Sequence, residues 1–277
     1  MYSGLELTRF SGRVLGAHQK IDSIARRHLN KLLPKESLFP PIGQILHFEG
    51  KNGPDGLKLK SPARDEPWHF YAPFNDEDSH ILGLIKHHYD LLVEALREGD
   101  KERTAFEAAW LAHAIVDGLT PAHHYPYEEK LAELRGGESK ETRDTKRKKV
   151  VMPGDTRRDK VKNNWKMWGA KGLFMTHWWF EFGIATLIKP LNFGEAKPSK
   201  TELKHFMELG LNEWFKRTAR EIAVLDMYDA YYKKGWTPKL AYQVRHKLGP
   251  AIVRTVTLTW YGALCDAGLI EYTHENY

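Results

Sequence analysis

Residues 78–121 read DSHILGLIKHHYDLLVEALREGDKERTAFEAAWLAHAIVDGLTP. Ile81, Ile85, Tyr89, Leu92 and Leu96 recur at intervals of three and four, which places them on one face of a helix over 78–98. Asp78 or Ser79 supplies a cap at its start, and Gly99 follows its end. Phe106, Ala109, Trp110, Ala112 and Ala114 define a second helix over 101–119, stopped by Pro121. No alternating run of the kind that makes a strand interrupts the pair. The class that follows is all-α.

Working outward, residues 13–33 carry Val14, Ile21, Ile24 and Leu29 at helical spacing and end at Pro34. Between Pro34 and Gly56 lie eight prolines or glycines, so 34–76 reads as a long irregular loop. Loops of that length inside a compact domain are functional or disordered. Trp68, His69, Phe70 and Tyr71 favour order here. On the other side, a short helix near 126–135 leads to Gly136-Gly137 and then to a basic stretch, 137–158, expected to be a poorly ordered insertion. Helices are predicted over 161–188, rich in tryptophan and phenylalanine and ended by Pro190, over 199–224, over 225–234, and over 237–267, which opens at Thr237-Pro238. The whole, 1–277, reads as one single-domain multi-helix bundle.

The bulk composition agrees with a folded globular chain: 42% hydrophobic and 28% charged residues. No window approaches the roughly 18 apolar residues of a transmembrane span. Residues 1–17 lack the apolar run of a secretory signal. The chain as written therefore reads as cytoplasmic, and as secreted if a signal segment has been removed. One cysteine, Cys265, excludes an intramolecular disulfide and a cysteine-based metal cluster, and reads as a small core residue. The net charge is +6, which favours anionic partners such as nucleic acid, phosphorylated metabolites or an anionic membrane surface. Much of that charge is concentrated in Lys146 to Lys149 and Arg157, Arg158, Lys160 and Lys162, for which a solvated loop is the plainer reading.

Fourteen histidines are present, and their spacing carries more than their number. His113 and Asp117 are four apart on a helix and project from one face, as do His177 and Glu181 on another. His123 and His124 follow Pro121, His69 lies in the long loop and His18 on the first helix. One such His-acid pair is common by chance and is more often a surface pair. Two of them, both in apolar and aromatic segments, are costly unless paired or metal-bound. Imidazole and carboxylate are zinc ligands, and pairs of bound ions serve phosphatases and nucleases. Manganese or iron tolerates many of the same ligands.

The stretch His113-Ala-Ile-Val-Asp117-Gly-Leu-Thr-Pro121-Ala-His123 resembles the signature H-x-x-x-D-x-x-x-P-x-H of the bacterial zinc-dependent phospholipases C. The fungal single-strand-specific zinc nucleases share a closely related site. His177-Trp-Trp-Phe-Glu181 resembles that family's H-x-x-x-E, and Trp68-His69-Phe70-Tyr71 its loop histidine. Asp55, fourteen residues before His69, has the spacing of a bridging-site aspartate, and His18 resembles the first histidine. These landmarks cover 18–181, in order. The resemblance implies a bundle of long helices and a cluster of two or three zinc ions. Asp55, His69, His113 and Asp117 would hold one ion; His123, His177 and Glu181 a second; Asp117 would bridge to a third on His18. His124 rivals His123, and Asp65 rivals Asp55.

Two departures stand out. Secreted members bind the third ion through an N-terminal tryptophan, whereas this chain begins Met1-Tyr2 and its first tryptophan is Trp68; Asp22 is a substitute to consider. The gap from His124 to His177, 53 residues, is longer than in the pattern and contains the basic stretch. The activity implied is phospholipase C-like hydrolysis of a phosphodiester, with Asp55 orienting the attacking water or accepting its proton. Single-strand nuclease or nucleotidase activity, and a non-catalytic metal-binding helical module, are the alternatives. Nucleic acid or an anionic membrane is the corresponding macromolecular partner.

Overall fold

The structure is a computed structural model and describes residues 16–34 and 39–271. The described residues form helices and turns and no strand. The chain is an all-α protein. In order, the longer elements are α1 (Ala17–Asn30), the short α2 (Ile42–Ile45) and α3 (Pro54–Lys60), α4 (His80–Glu98), α5 (Lys101–Gly118), α6 (Tyr127–Leu134), α7 (Lys146–Val150), α8 (Arg157–Trp168), α9 (Leu173–Ile188), α10 (Lys200–Leu209), α11 (Leu211–Ala223), α12 (Met227–Lys234), α13 (Pro238–Gln243) and α14 (Gly249–Asp266).

Helices α4 and α5 are the two helices that the sequence predicts, and they pack against each other as a hairpin. Gly99 closes α4 in the left-handed conformation (φ 71°), and the Asp100 carboxylate accepts a hydrogen bond from the Arg103 backbone N–H at 2.9 Å to open α5. Ala105, Ala108, Ala109 and Ala112 are fully buried on α5. Such small side chains let α1, α4 and α14 approach its backbone closely. Helix α14 runs through the middle of the main core. Trp260 is fully buried on it, and its indole N–H donates to the Ala108 carbonyl at 3.1 Å. Two buried threonine hydroxyls of α14 bond back within the helix, Thr255 to the Ala251 carbonyl at 3.0 Å and Thr257 to the Val253 carbonyl at 2.7 Å. A second, smaller apolar cluster joins Phe70, Tyr127, Leu131, Met152 and Met167, and so ties α6 and α8 to the loop that carries His69.

The predicted boundaries need correction at four places. The helix predicted over 161–188 is two: the backbone leaves the helix at Gly169, which lets α9 set off independently of α8. The helix predicted over 199–224 is broken at Gly210, whose φ of 80° suits glycine and ends α10. The stretch 237–267 holds a wider π turn at Val244–Leu248 between α13 and α14. Finally, the 34–76 segment, where described, is not purely irregular: α2, α3 and short 3-10 turns at 46–48, 50–52 and 63–65 organise it. The basic 137–158 stretch is likewise held by specific bonds. Arg143 pairs with Glu128 at 2.5 Å, and the Trp168 indole N–H donates to the Val150 carbonyl at 2.8 Å.

Candidate metal centre

Five segments converge on one interior place. α1 brings His18, the start of α3 brings Asp55, and the last two turns of α5 bring His113 and Asp117. The turn at Pro121–His124 brings His123, and α9 brings His177 and Glu181. The i, i+4 spacing does what helical geometry requires and puts each His-acid pair on one face.

Two trios of ligand atoms result, His18, His113 and Asp117 in one and His123, His177 and Glu181 in the other, each with its three atoms within 4.8 Å of one another. In the first, Asp117 Oδ1 lies 3.3 Å from His18 Nε2, and Oδ2 lies 3.4 Å from His113 Nε2. Charge-assisted hydrogen bonds are shorter than that. Two donors of a tetrahedral zinc site, each about 2.05 Å from the ion, stand roughly 3.3 Å apart. The first trio is therefore spaced as ligands are. In the second, Glu181 Oε1 stands 2.9 Å from His123 Nε2 and 3.1 Å from His177 Nε2. Asp117 joins the two, its Oδ1 being 3.6 Å from His123 Nδ1.

The histidine tautomers fit a cation as well. His123 Nδ1–H donates to the Asp117 carbonyl at 2.9 Å, His69 Nδ1–H to the Pro67 carbonyl at 3.1 Å, and His113 Nδ1–H to Glu49 Oε2 at 3.2 Å. In each ring the outer nitrogen is occupied by a protein oxygen and Nε2 is left to face inward. Metal-binding histidines are held in this way. The residues thus fit a metal by their chemistry, the first trio also by its spacing, and His113 and His123 by tautomer.

Electrostatics follows from burial. At His113 burial disfavours charge, but Glu49 and Asp117 outweigh it and push the imidazole up to about 10. Burial works against ionisation of Asp117 too, yet His123, His113 and Lys58 hold its carboxyl well below the usual range. Glu181 is also held well below, against burial, by His177 and His123. His123 itself is pushed down to about 4, chiefly by burial.

The predicted residues do not all play equal parts. Asp55 stands at the rim, side chain 23% exposed, with Oδ1 3.8 Å from His113 Nε2 and 2.7 Å from Lys58 Nζ. Asp65, its rival, is exposed and pairs with Arg64. His69 belongs to neither trio; its ring centroid lies 4.9 Å from that of His123. His124 turns away from the centre, with Nε2–H donating to the Gly118 carbonyl at 2.9 Å, so His123 and not His124 faces Glu181. Asp22 is fully buried beside Glu49 rather than in a trio. Met1 and Tyr2, where the resemblance looks for the third ion's partner, lie outside the described residues.

Two residues of the centre escaped the sequence reading. Glu49 gave no signal, because its link to His113 spans 64 positions. Lys58 did give one, three residues after Asp55 on a short helix. Its ammonium also approaches Asp117 Oδ2 at 3.8 Å. A cleft beside the centre is walled by Trp68, Leu84, His88 and Trp110 and reaches Lys58, His69, His113 and Asp117.

Comparisons of the chain with protein-family models, with curated proteins and with solved structures find no match.

Proposed function

We propose that this protein is a metal-dependent phosphodiester hydrolase of the phospholipase C-like type, with zinc held by the two trios. The observation that carries the reading is the burial of His18 and His113 against Asp117, each Nε2 at a ligand-like 3.3–3.4 Å from a carboxylate oxygen, with His113 Nδ1–H already bonded to Glu49. So many ionisable groups are expensive to bury for structural purposes alone. His18, His113 and Asp117 would hold one ion and His123, His177 and Glu181 another. Bound zinc would supply Lewis acidity toward a phosphoryl oxygen and lower the pKa of water at the centre.

The chain's own groups have distinct tasks. Asp117 sits between the trios and orders both. Asp55 is the carboxylate nearest the mouth. Burial opposes its charge, but Lys58 and His113 keep it ionised and below the usual carboxylate range. A carboxylate so poised serves to orient the attacking water by accepting a hydrogen bond from it. Lys58 stands beside it with an ammonium suited to a phosphoryl oxygen of the substrate. Glu49 fixes the His113 ring. Trp68 and Trp110 line the narrow cleft beside the centre.

The test is hydrolysis of a chromogenic phosphodiester before and after chelation. Turnover that vanishes with chelator and returns with zinc supports the reading. Full activity after complete metal removal sinks it, and zinc binding without any turnover assigns the protein to the non-catalytic alternative.

A further inference from the structure

Residues 146–166 hold nine lysines and arginines against two acids, a surplus larger than the +6 of the whole chain. Part of this charge is used internally. Lys149 donates to the carbonyls of Lys58 and Ser61, at 2.5 and 3.1 Å, and pairs with Glu66, while Lys148 pairs with Asp144. The cations of α8 are different. Arg157, Arg158, Lys162 and Lys166 make no ion pair among the described residues. Between them, one helical turn apart on the same face, stand Val161 and Trp165, 71% and 72% exposed. Trp165 is the most exposed tryptophan of the chain.

The opposite face of α8 is anchored. Met167 is buried, the Trp168 indole N–H donates to Val150, and the Asn164 side chain bonds both the N–H and the carbonyl of Met152, at 3.2 and 3.1 Å. Thr156 and Asp159 close a capping box at the start of the helix. The apolar pair is therefore displayed on a fixed platform, ringed by cations that have no internal anion to meet.

We infer that the outer face of α8 docks onto an anionic lipid surface. Tryptophan is at home at the headgroup level of a bilayer, and lysines and arginines beside it add attraction to anionic lipids. The cations would meet lipid phosphates while Trp165 and Val161 dip below them. Valine has no ring to stack on a base, so the pair suits a lipid better than single-stranded nucleic acid. Four residues, Gly169–Gly172, separate α8 from α9, and Leu173 is one turn before His177. Docking would thus hold the helix that carries His177 and Glu181 close to the bilayer. The inference stands on exposed side chains of α8 and does not depend on hydrolysis.

The experiment is co-sedimentation of the full chain with phosphatidylcholine vesicles, with and without phosphatidylglycerol, at low and high salt. Each cation near an anionic surface is worth roughly fivefold in binding. The expected result is binding to the mixed vesicles at least about tenfold tighter than to neutral ones, weakened by salt. Trp165→Glu and the pair Arg158→Gln with Lys162→Gln each lose at least about tenfold in binding by the same reasoning, with circular dichroism and zinc content unchanged. No preference for anionic vesicles, or wild-type binding by Trp165→Glu, overturns the inference. So does tighter, α8-dependent binding of a single-stranded oligonucleotide, which would give the surface to nucleic acid.

Discussion

Substituting Glu49 by glutamine should weaken zinc binding without unfolding the protein. Glu49 and His113 are both buried, and the Nδ1–Oε2 separation is 3.2 Å. A full ion pair at that distance in an effective dielectric of 20 is worth about 5 kcal/mol, which sets a ceiling. Glutamine keeps the size and can still accept from Nδ1–H through its amide oxygen, so most of that ceiling is not lost. What is lost is the carboxylate that makes the imidazole a stronger donor to a cation and fixes its tautomer. Such partners of metal-binding histidines are worth roughly 10- to 100-fold in metal affinity, or about 1.4–2.7 kcal/mol. The assay is competition for zinc against a chromophoric chelator, with circular dichroism as a folding control. A Glu49→Gln protein that binds zinc within about twofold of wild type refutes the positioning argument.

Further outcomes follow from neighbouring residues. Asp22 is fully buried, and burial together with Glu49 raises its carboxyl well above the usual range, which favours the neutral form; the isosteric Asp22→Asn should therefore cost less than about 1 kcal/mol in urea unfolding, whereas a cost of several would show a buried charge. His124 donates through Nε2–H, and its Nδ1 is shut from solvent without a partner, so burial lowers its pKa to about 4. Because the unfolded chain takes up that proton near 6.5 and the folded one only near 4, metal-free protein should lose stability as pH falls through this window; His124→Asn should flatten the slope by up to about 1.4 kcal/mol per pH unit, and an unchanged slope contradicts it. A Cβ on Gly183 would stand 2.2 Å from the Trp236 ring, which stacks on Phe180; Gly183→Ala should cost roughly 1–3 kcal/mol by overpacking in chemical denaturation, and wild-type stability would show that the indole yields freely.

The sequence made some of this legible and hid the rest for physical reasons. The α4 and α5 helices were readable because their apolar spacing and Gly99 agree over short range, although neither Ser79 nor Asp78 caps α4: the Asp78 carboxylate accepts from the Ala72 N–H instead. The split of 161–188 was not readable, because Trp165, Trp168, Phe174 and Trp178 keep an apolar look across the break, and only the glycines at 169 and 172 mark it. The order in the 137–158 stretch comes from partners far away in sequence, such as Glu66 for Lys149, that no local pattern reveals. Within the site, His113 with Asp117 and His177 with Glu181 announced themselves by helical spacing. His123 was favoured over His124 by motif spacing alone; what turns the His124 ring away, its bond to the Gly118 carbonyl, is not visible in sequence. Glu49 was invisible for the same kind of reason: a carboxylate in a glycine-rich turn becomes part of the centre only when α5 is laid beside it.

The most direct test of the metal centre is elemental analysis of protein purified without chelator or affinity tag, alongside His113→Ala and Glu181→Ala. The account predicts two or three zinc ions per wild-type chain, with fewer in each variant, because each change removes a donor from a different trio. A protein that stays folded and binds no metal even when zinc is supplied would contradict it, and would leave the buried histidines and carboxylates as a salt-bridge network alone.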